Sequence, residues 1–194
     1  EVSYNQDEIL SLNPTVDFVV SGPGESPVPV LLNSLFLENK TDIPSVSRRI
    51  GERIHIDRRE AEPDESISPY CKEYFDSLEG RIAYIESSRG CPFSCAFCLS
   101  GRLGKVRYTD LERVKNEMVR LSALGAGTVK FVDRTFNCHK ERAKDIFYFI
   151  LEHYGKAIAE GTCFHFEIAA DLLTEEQLRV IEKLPVGAVQ FEIG

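Results

Sequence analysis

The chain has 194 residues, a net charge of −8, a hydrophobic fraction of 43% and a charged fraction of 28%, as in an ordinary soluble globular protein. No apolar run approaches the ~20 residues that a membrane-spanning helix needs, and the opening EVSYNQDEIL lacks the basic and apolar segments of a secretory signal. The acidic balance argues against a nucleic-acid grip over the whole surface. We expect a cytoplasmic protein without membrane or general nucleic-acid binding.

The first 37 residues have the pattern of the end of an α/β domain. DFVV at 17–20 is a short apolar strand that runs into the glycine-rich turn SGPGE, and PVPVLLNSLFL at 27–37 is a helix opened by prolines. One strand and two short helices cannot cover both faces of a sheet. We therefore expect residues 1–37 to be the C-terminal remnant of a domain that begins upstream. Residues 38–80 are charged and rich in proline, which predicts a linker with a small hairpin.

Predicted strands and helices alternate from residue 81 to the last residue. The order β-α-β-α-β-α-β with short links predicts a parallel sheet with right-handed crossovers. Four strands fit either an open sheet or an incomplete barrel. The predicted strands are 81–88, 128–133, 162–169 and 187–194, and the predicted helices are 108–127, 139–155 and 174–185.

Two of these helices carry capping signals. Thr109 and Glu112 have the spacing of a capping box at the start of the first helix, and Thr174 and Gln177 have it at the start of the third. Such pairs satisfy two of the backbone N–H groups that a helix start leaves unpaired. The sequence therefore predicts sharp starts for both helices.

A cysteine-rich loop, SSRGCPFSCAFCLS at 87–100, directly follows the first of these strands. The carboxyl ends of parallel strands carry the active site in such architectures. Thiolates suit iron–sulfur clusters, zinc or cuprous copper. A cubane cluster normally takes four thiolates, so Cys91, Cys95 and Cys98 would leave one iron open, which is typical of a catalytic site. The alternative is a structural zinc module, completed by Cys138, His139 or Cys163.

The octapeptide CPFSCAFC resembles the CxxxCxΦC signature of the radical S-adenosylmethionine superfamily, with Phe97 as the aromatic residue Φ. The longer stretches IESSRGCPFSCAFCLS, KFVDRTFN and FHFEIAADLL resemble a subgroup of radical enzymes that carry an N-terminal cobalamin-binding domain. In that subgroup, DFVVSGPGE is similar to the last strand and turn of the Rossmann-like cobalamin domain. The resemblance covers nearly the whole chain.

This resemblance implies a partial TIM-like barrel of about four βα strands in residues 81–194, the radical S-adenosylmethionine core. Cys91, Cys95 and Cys98 would hold a [4Fe–4S] cluster, with S-adenosyl-L-methionine on the fourth iron. An electron donor would reduce the cluster, and cleavage of the cofactor would give a 5′-deoxyadenosyl radical that acts on a small-molecule substrate. Phe97 would lie beside a bound planar group. Cobalamin-linked methyl transfer, methylthiolation and rearrangement all occur in related enzymes, and an inert fragment is the alternative.

The chain departs from the family pattern in three respects, one of which is that it shows four strands where the usual barrel has six. VDRTFN at 132–137 stands where a Gly-Gly-Glu-like stretch often holds the methionine amino group, which makes Asp133, Arg134 and Thr135 the candidates there. For Asp133 the alternative is a plain salt bridge. Glu167 matches a polar cofactor-binding position, and Glu192 is either a cofactor ligand or an inward carboxylate with a partner. No DxHxxG cobalamin motif is present. We therefore expect cobalamin only in a full-length protein, not on this chain alone.

Overall fold

The computed structural model describes residues 4–37, 42–64, 66–102 and 105–194. The chain divides into two compact units, residues 1–69 and 70–194. None of the helices in the described ranges has both the length and the apolarity that crossing a bilayer requires.

The N-terminal unit is built on a three-stranded antiparallel sheet. Its elements are α1 (Gln6–Leu12), β1 (Phe18–Val20), α2 (Pro27–Phe36), β2 (Val46–Ile50) and β3 (Arg53–His55). Strand β2 pairs with β1 on one side and with β3 on the other. The predicted short strand, the proline-opened helix and the hairpin all form. The hairpin of β2 and β3 belongs to the sheet of this unit, since β2 forms backbone hydrogen bonds with β1, without which the edge of β1 would be unpaired.

The glycine-rich turn after β1 is explained by a close backbone approach. Gly22 has φ of +80°, and a Cβ atom placed on it would lie 2.8 Å from the backbone nitrogen of Ala61. The backbone N–H of Ala61 donates to the carbonyl of Ser21 next to it. Only glycine tolerates both the left-handed conformation and this contact.

The C-terminal unit contains a four-stranded parallel sheet with helices between its strands. In chain order the elements are α3 (Lys72–Asp76), β4 (Ile82–Ile85), β5 (Ser88–Arg89), β6 (Arg107–Tyr108), α4 (Leu111–Ala123), β7 (Thr128–Phe131), α5 (Lys140–His153), β8 (Cys163–Ile168), α6 (Glu175–Ile181) and β9 (Val189–Ile193). The sheet order β4-β7-β8-β9 is the chain order, and every pair is parallel, as the alternating pattern predicts. The short strands β5 and β6 form a separate antiparallel pair.

The two faces of the parallel sheet differ in character. One face packs against α4, α5 and α6 around fully buried aromatic residues, of which Phe131, Phe147 and Phe166 are the centre. The other face carries partly exposed and mainly polar side chains at the alternate positions. Because successive strand residues point to opposite faces, the pattern CFHFEI of β8 supplies both. This arrangement is that of a partial barrel with its helices outside, and the polar face is hereafter the inner face.

One predicted helix cap is confirmed and the other is wrong. Thr174 and Gln177 form the capping box of α6. At α4, however, the N-cap is Asp110, whose carboxylate accepts from the N–H of Arg113. Thr109 is held elsewhere, because its N–H donates to the carbonyl of Ser87 at 3.0 Å. A tertiary contact therefore takes precedence over the local capping signal.

Candidate functional site

The cysteine loop is closed at its base by the β5–β6 pair. Ser88 lies opposite Tyr108, and Arg89 lies opposite Arg107. This pair follows β4 directly, so the loop begins at the carboxyl end of the sheet, where the sequence predicts the active site. The predicted single strand 81–88 is wrong in one respect, because the chain leaves the parallel sheet after Ile85 before it pairs again.

The three predicted cluster cysteines lie in this loop, and none of them is in a disulfide. Cys95 is exposed, whereas Cys91 and Cys98 are partly buried. The N–H of Cys98 donates to the carbonyl of Cys95 at 3.0 Å, so these two residues share one turn. In the described part of the chain, no three His, Cys, Asp or Glu side chains converge where one metal ion would be held. A donor set of three spaced thiols in an accessible loop fits a cluster, because a cubane distributes its ligands over several irons.

The residues considered for closing a zinc site are engaged elsewhere. Cys163 opens β8, at the end of the sheet opposite the cysteine loop. The Cys138 thiol lies 3.4 Å from the hydroxyl of Tyr108, and burial raises the pKa of that tyrosine well above its ordinary value. His139 caps α5 by accepting from the N–H of Arg142. Cys138 and His139 therefore make other contacts, and Cys163 lies at the other end of the strands.

Gly90, immediately before Cys91, has a conformation that only glycine adopts easily. Its φ is +105°, and a Cβ atom would lie 3.1 Å from the carbonyl oxygen of Lys105. We predict that Gly90→Ala displaces the loop at a cost of about 1–3 kcal/mol and lowers the iron retained after anaerobic reconstitution. The control is Gly127→Ala, where open space surrounds the added methyl group. Equal iron retention in the two variants would contradict this explanation.

Asp133 lies just beyond β7 and is nearly inaccessible, with 1% of its surface exposed. Its carboxylate accepts hydrogen bonds from the Ser87 N–H at 2.8 Å, the Ser87 hydroxyl at 2.6 Å and the Ser88 hydroxyl at 2.7 Å. Burial raises the pKa of Asp133, although the hydrogen bonds from Ser87 and Ser88 act in the opposite direction. The carboxylate thus binds the base of the cysteine loop.

The segment after β7 reaches both the cysteine loop and the next strand. The Thr135 hydroxyl lies 3.6 Å from the Cys91 sulfur. Asn137 is fully buried, and its amide both donates to the carbonyl of Ala169 at 2.8 Å and accepts from its N–H at 3.0 Å. Sequence reasoning missed Asn137. The signal was an asparagine in a short turn, where its side chain often replaces a backbone partner.

A charged cluster occupies the inner face. The Lys130 ammonium lies 3.3 Å from the Glu167 carboxylate and 3.2 Å from that of Glu192, and His165 Nε2 lies 3.5 Å from Glu192. Hydrogen bonding to Glu192, together with Glu167, raises the pKa of Lys130, so this side chain stays protonated. His165 and Glu167 share a face, as their alternation predicts. Glu192 therefore has two partners, Lys130 and His165, as expected if it is an inward-facing carboxylate rather than a cofactor ligand.

Phe97 is the most exposed phenylalanine of the cysteine loop. It lies between Cys95 and Cys98, and 93% of its surface is accessible, compared with 40% for Phe93. Burial of a large apolar side chain is favourable, but the Phe97 ring is almost completely exposed and so is not stabilised in this way. Its aromatic face is therefore accessible to a bound group.

The fold and the cysteine loop together define a class of protein. A partial barrel with a CxxxCxΦC loop after its first strand is the architecture that the sequence predicts for a radical S-adenosylmethionine core. The family model of the radical SAM superfamily matches residues 85–193, more than half of the chain. The chain belongs to the radical SAM superfamily.

Particular relatives agree with this family. The chain is 27% identical over 195 residues to a Methanocaldococcus jannaschii protein named as a methylthiotransferase, which covers 96% of this chain and 42% of that protein. It is 43% identical over 164 residues to an uncharacterized methyltransferase of Pyrococcus horikoshii, covering 75% of this chain and 34% of the relative. The chain therefore spans less than half the length of these relatives.

A solved structure shows the same fold. It is that of TsrM, a radical S-adenosylmethionine methyltransferase from Kitasatospora setae, with cobalamin and a [4Fe–4S] cluster bound. The TM-score is 0.74 at 15% sequence identity, and the match covers 100% of this chain and 41% of TsrM. The predicted family and the predicted partial barrel are thus confirmed.

Proposed function

We propose that this chain is the cluster-binding part of a radical S-adenosylmethionine methyltransferase. The observation that carries the proposal is the loop with three cysteines outside disulfides at the carboxyl end of β4, in a chain of this superfamily. When bound, the [4Fe–4S] cluster supplies an electron that splits S-adenosyl-L-methionine into methionine and a 5′-deoxyadenosyl radical. The protein binds and orients the reacting groups and keeps water from them.

The proposal assigns roles to side chains on the loop and on the inner face. Cys91, Cys95 and Cys98 are the cluster ligands, and the lack of a fourth cysteine in the loop leaves one iron for the amino and carboxylate groups of the cofactor. Phe97 covers a planar part of the bound cofactor. Glu167 and Glu192 present carboxylates from neighbouring strands, where they suit a positively charged group.

Methyl transfer with cobalamin is the proposed outcome of the reaction. The names of two sequence relatives, methyltransferase and methylthiotransferase, support transfer of a one-carbon group. The likeness to cobalamin-bound TsrM extends over the whole chain, residues 1–37 included. We assign these residues to the end of a cobalamin-binding-type domain and residues 81–194 to the radical core; of the segment 38–80, expected to be a linker, the hairpin of β2 and β3 belongs to the sheet of the N-terminal unit.

The proposal also implies an environment and partners. None of the six cysteines forms a disulfide, and three of them are the proposed cluster ligands; cysteines remain reduced in this way in a reducing compartment. We therefore place the protein in the cytoplasm. It would meet a reduced electron donor there, as well as its small-molecule substrate.

The proposed activity is tested by product analysis on the full-length protein. After anaerobic reconstitution with iron and sulfide, it is incubated with S-adenosyl-L-methionine and a strong reductant. We expect 5′-deoxyadenosine and methionine to accumulate, and both to be lost in Cys98→Ala. Equal amounts of product in that variant and in the native protein would contradict the proposal. Added hydroxocobalamin that is retained on gel filtration would support the cobalamin assignment.

A role for Glu167 in cofactor binding predicts a selective defect. Glu167→Gln keeps the shape of the side chain but removes its charge, so we expect affinity for S-adenosyl-L-methionine to fall about tenfold while iron content stays unchanged. Lys130 retains Glu192 as an ion partner in this variant. Equilibrium dialysis of the cluster-loaded protein measures the affinity. The control is Glu175→Gln, an exposed residue of α6 paired with Arg179, and equal affinities would exclude the role.

A further inference from the structure

We propose that Asp133 is a positioning residue, which fixes the base of the cysteine loop and does not itself contact the cofactor. The base consists of Ser87 and Ser88 on one side and Tyr108 and Thr109 on the other, and it is hereafter the loop neck. This inference rests on the proposed function, because it concerns how the protein builds the cluster site. It goes further by giving the residue after β7 a mechanical role.

The carboxylate of Asp133 is already occupied by protein donors. Oδ1 accepts from the Ser87 N–H, and Oδ2 accepts from the hydroxyls of Ser87 and Ser88, at distances of 2.6–2.8 Å. Only 1% of the residue is exposed. A cofactor ammonium group would have to displace these donors, and each buried donor left unpaired is unfavourable. The geometry therefore fits a brace better than a cofactor ligand.

The loop neck is held from the opposite side by Arg142 of α5. Its guanidinium donates to the carbonyl of Ser87 at 3.3 Å and to the carbonyl of Thr109 at 2.7 Å. The Ser87 carbonyl also accepts from the Thr109 N–H at 3.0 Å. Ser87 is thus bound through its N–H and hydroxyl by Asp133, and through its carbonyl by Arg142 and Thr109.

The same segment also touches the first cluster ligand. Thr135, two residues beyond Asp133, lies 3.6 Å from the Cys91 sulfur. Cys91 follows Ser88 by three residues, with the constrained Gly90 between them. Movement at the loop neck would therefore be transmitted to Cys91 through a short stretch of backbone. Loss of Asp133 should loosen the neck and misplace this ligand.

Two substitutions distinguish a brace from a cofactor ligand. In Asp133→Asn, the new side chain offers one accepting oxygen and an amide that donates to the serine hydroxyls, which can act as acceptors. This variant can therefore keep the neck, while it removes the charge and reverses the direction of the two serine hydrogen bonds. We expect it to retain iron and to bind S-adenosyl-L-methionine within about twofold of the native protein. Asp133→Ala should hold less than about half the iron. A loss of cofactor affinity of about tenfold or more in Asp133→Asn, with iron retained, would overturn the proposal.

Hydrogen exchange in the apoprotein supplies a readout that needs no cluster. We expect the amides of residues 87–91 to exchange about tenfold faster or more in Asp133→Ala, and at the native rate in Asp133→Asn. Protection of β8 reports whether the variant is folded. If Asp133→Ala does not fold, Ser87→Ala and Ser88→Ala each remove one hydroxyl partner and should speed exchange at the neck by smaller factors. Unchanged exchange in the folded variants would refute the brace.

The two proposals fail in different ways in these experiments. If the native protein takes up no iron, the proposed function fails, while exchange in the apoprotein still tests the loop neck. If the native protein takes up iron and Asp133→Ala exchanges at the native rate, the positioning role fails and the proposed function stands.

Discussion

Replacing any one of Cys91, Cys95 and Cys98 by alanine is expected to abolish binding of the iron–sulfur cluster. Each thiolate is expected to bind a different iron, and the loop has no fourth cysteine that could replace a lost ligand. The native protein should hold about four iron atoms per chain after anaerobic reconstitution, with the broad visible absorption of a cluster. The three variants should show iron near the background level and no such absorption.

The matched control for these variants is Cys71→Ala. Cys71 is an exposed free cysteine at the start of α3, outside the cysteine loop. Its loss should leave iron, sulfide and visible absorption unchanged. If Cys71→Ala lost the cluster as well, or if one loop variant kept a full complement of iron, the assignment of the three ligands would be wrong.

Replacing Phe166 by alanine is expected to lower the free energy of unfolding of the C-terminal unit by about 3–5 kcal/mol. The Phe166 ring is fully buried, with centroids 4.2 Å from Phe136, 4.6 Å from Phe131 and 5.6 Å from Phe147. Its loss opens a cavity that these rigid rings cannot fill by small shifts. Denaturant unfolding of the apoprotein, followed by circular dichroism, measures the change.

The same residue type gives the control for this prediction. Phe97 is 93% exposed in the cysteine loop, and its replacement by alanine should change the free energy of unfolding by less than about 0.5 kcal/mol. Equal destabilisation by the two substitutions would show that Phe166 does not lie at the centre of the core. A small effect of Phe166→Ala alone would show that the surrounding rings collapse into the space.

The alternation of strands and helices was predictable because each element is indicated by the hydrophobic periodicity of neighbouring residues. The pattern CFHFEI of β8 alternates apolar and polar residues, and it correctly places His165 and Glu167 on the inner face. The CxxxCxΦC spacing is equally local, since three ligands of one loop must be close in sequence. These two signals suffice for the class of fold and for the proposed cluster ligands.

The contacts between distant segments were not predictable in this way. The β5–β6 pair has two residues on each strand, too few for a periodic signal, and it interrupts what reads as one strand from 81 to 88. Thr109 has the local sequence of a helix cap, yet its backbone binds Ser87 instead. For Asp133, the sequence shows a carboxylate after a strand. It does not show that the hydroxyls of Ser87 and Ser88 donate hydrogen bonds to that carboxylate.

The central claim is that the cysteine loop holds a cluster with one iron open to S-adenosyl-L-methionine. Electron paramagnetic resonance of the anaerobically reconstituted and reduced protein, recorded with and without S-adenosyl-L-methionine, tests it most directly. The account predicts a [4Fe–4S]⁺ signal that shifts when the cofactor is added. A signal that does not change when the cofactor is added would contradict the claim that one iron is open to it. A protein that takes up zinc and forms no cluster would contradict the assignment of the loop as a cluster site.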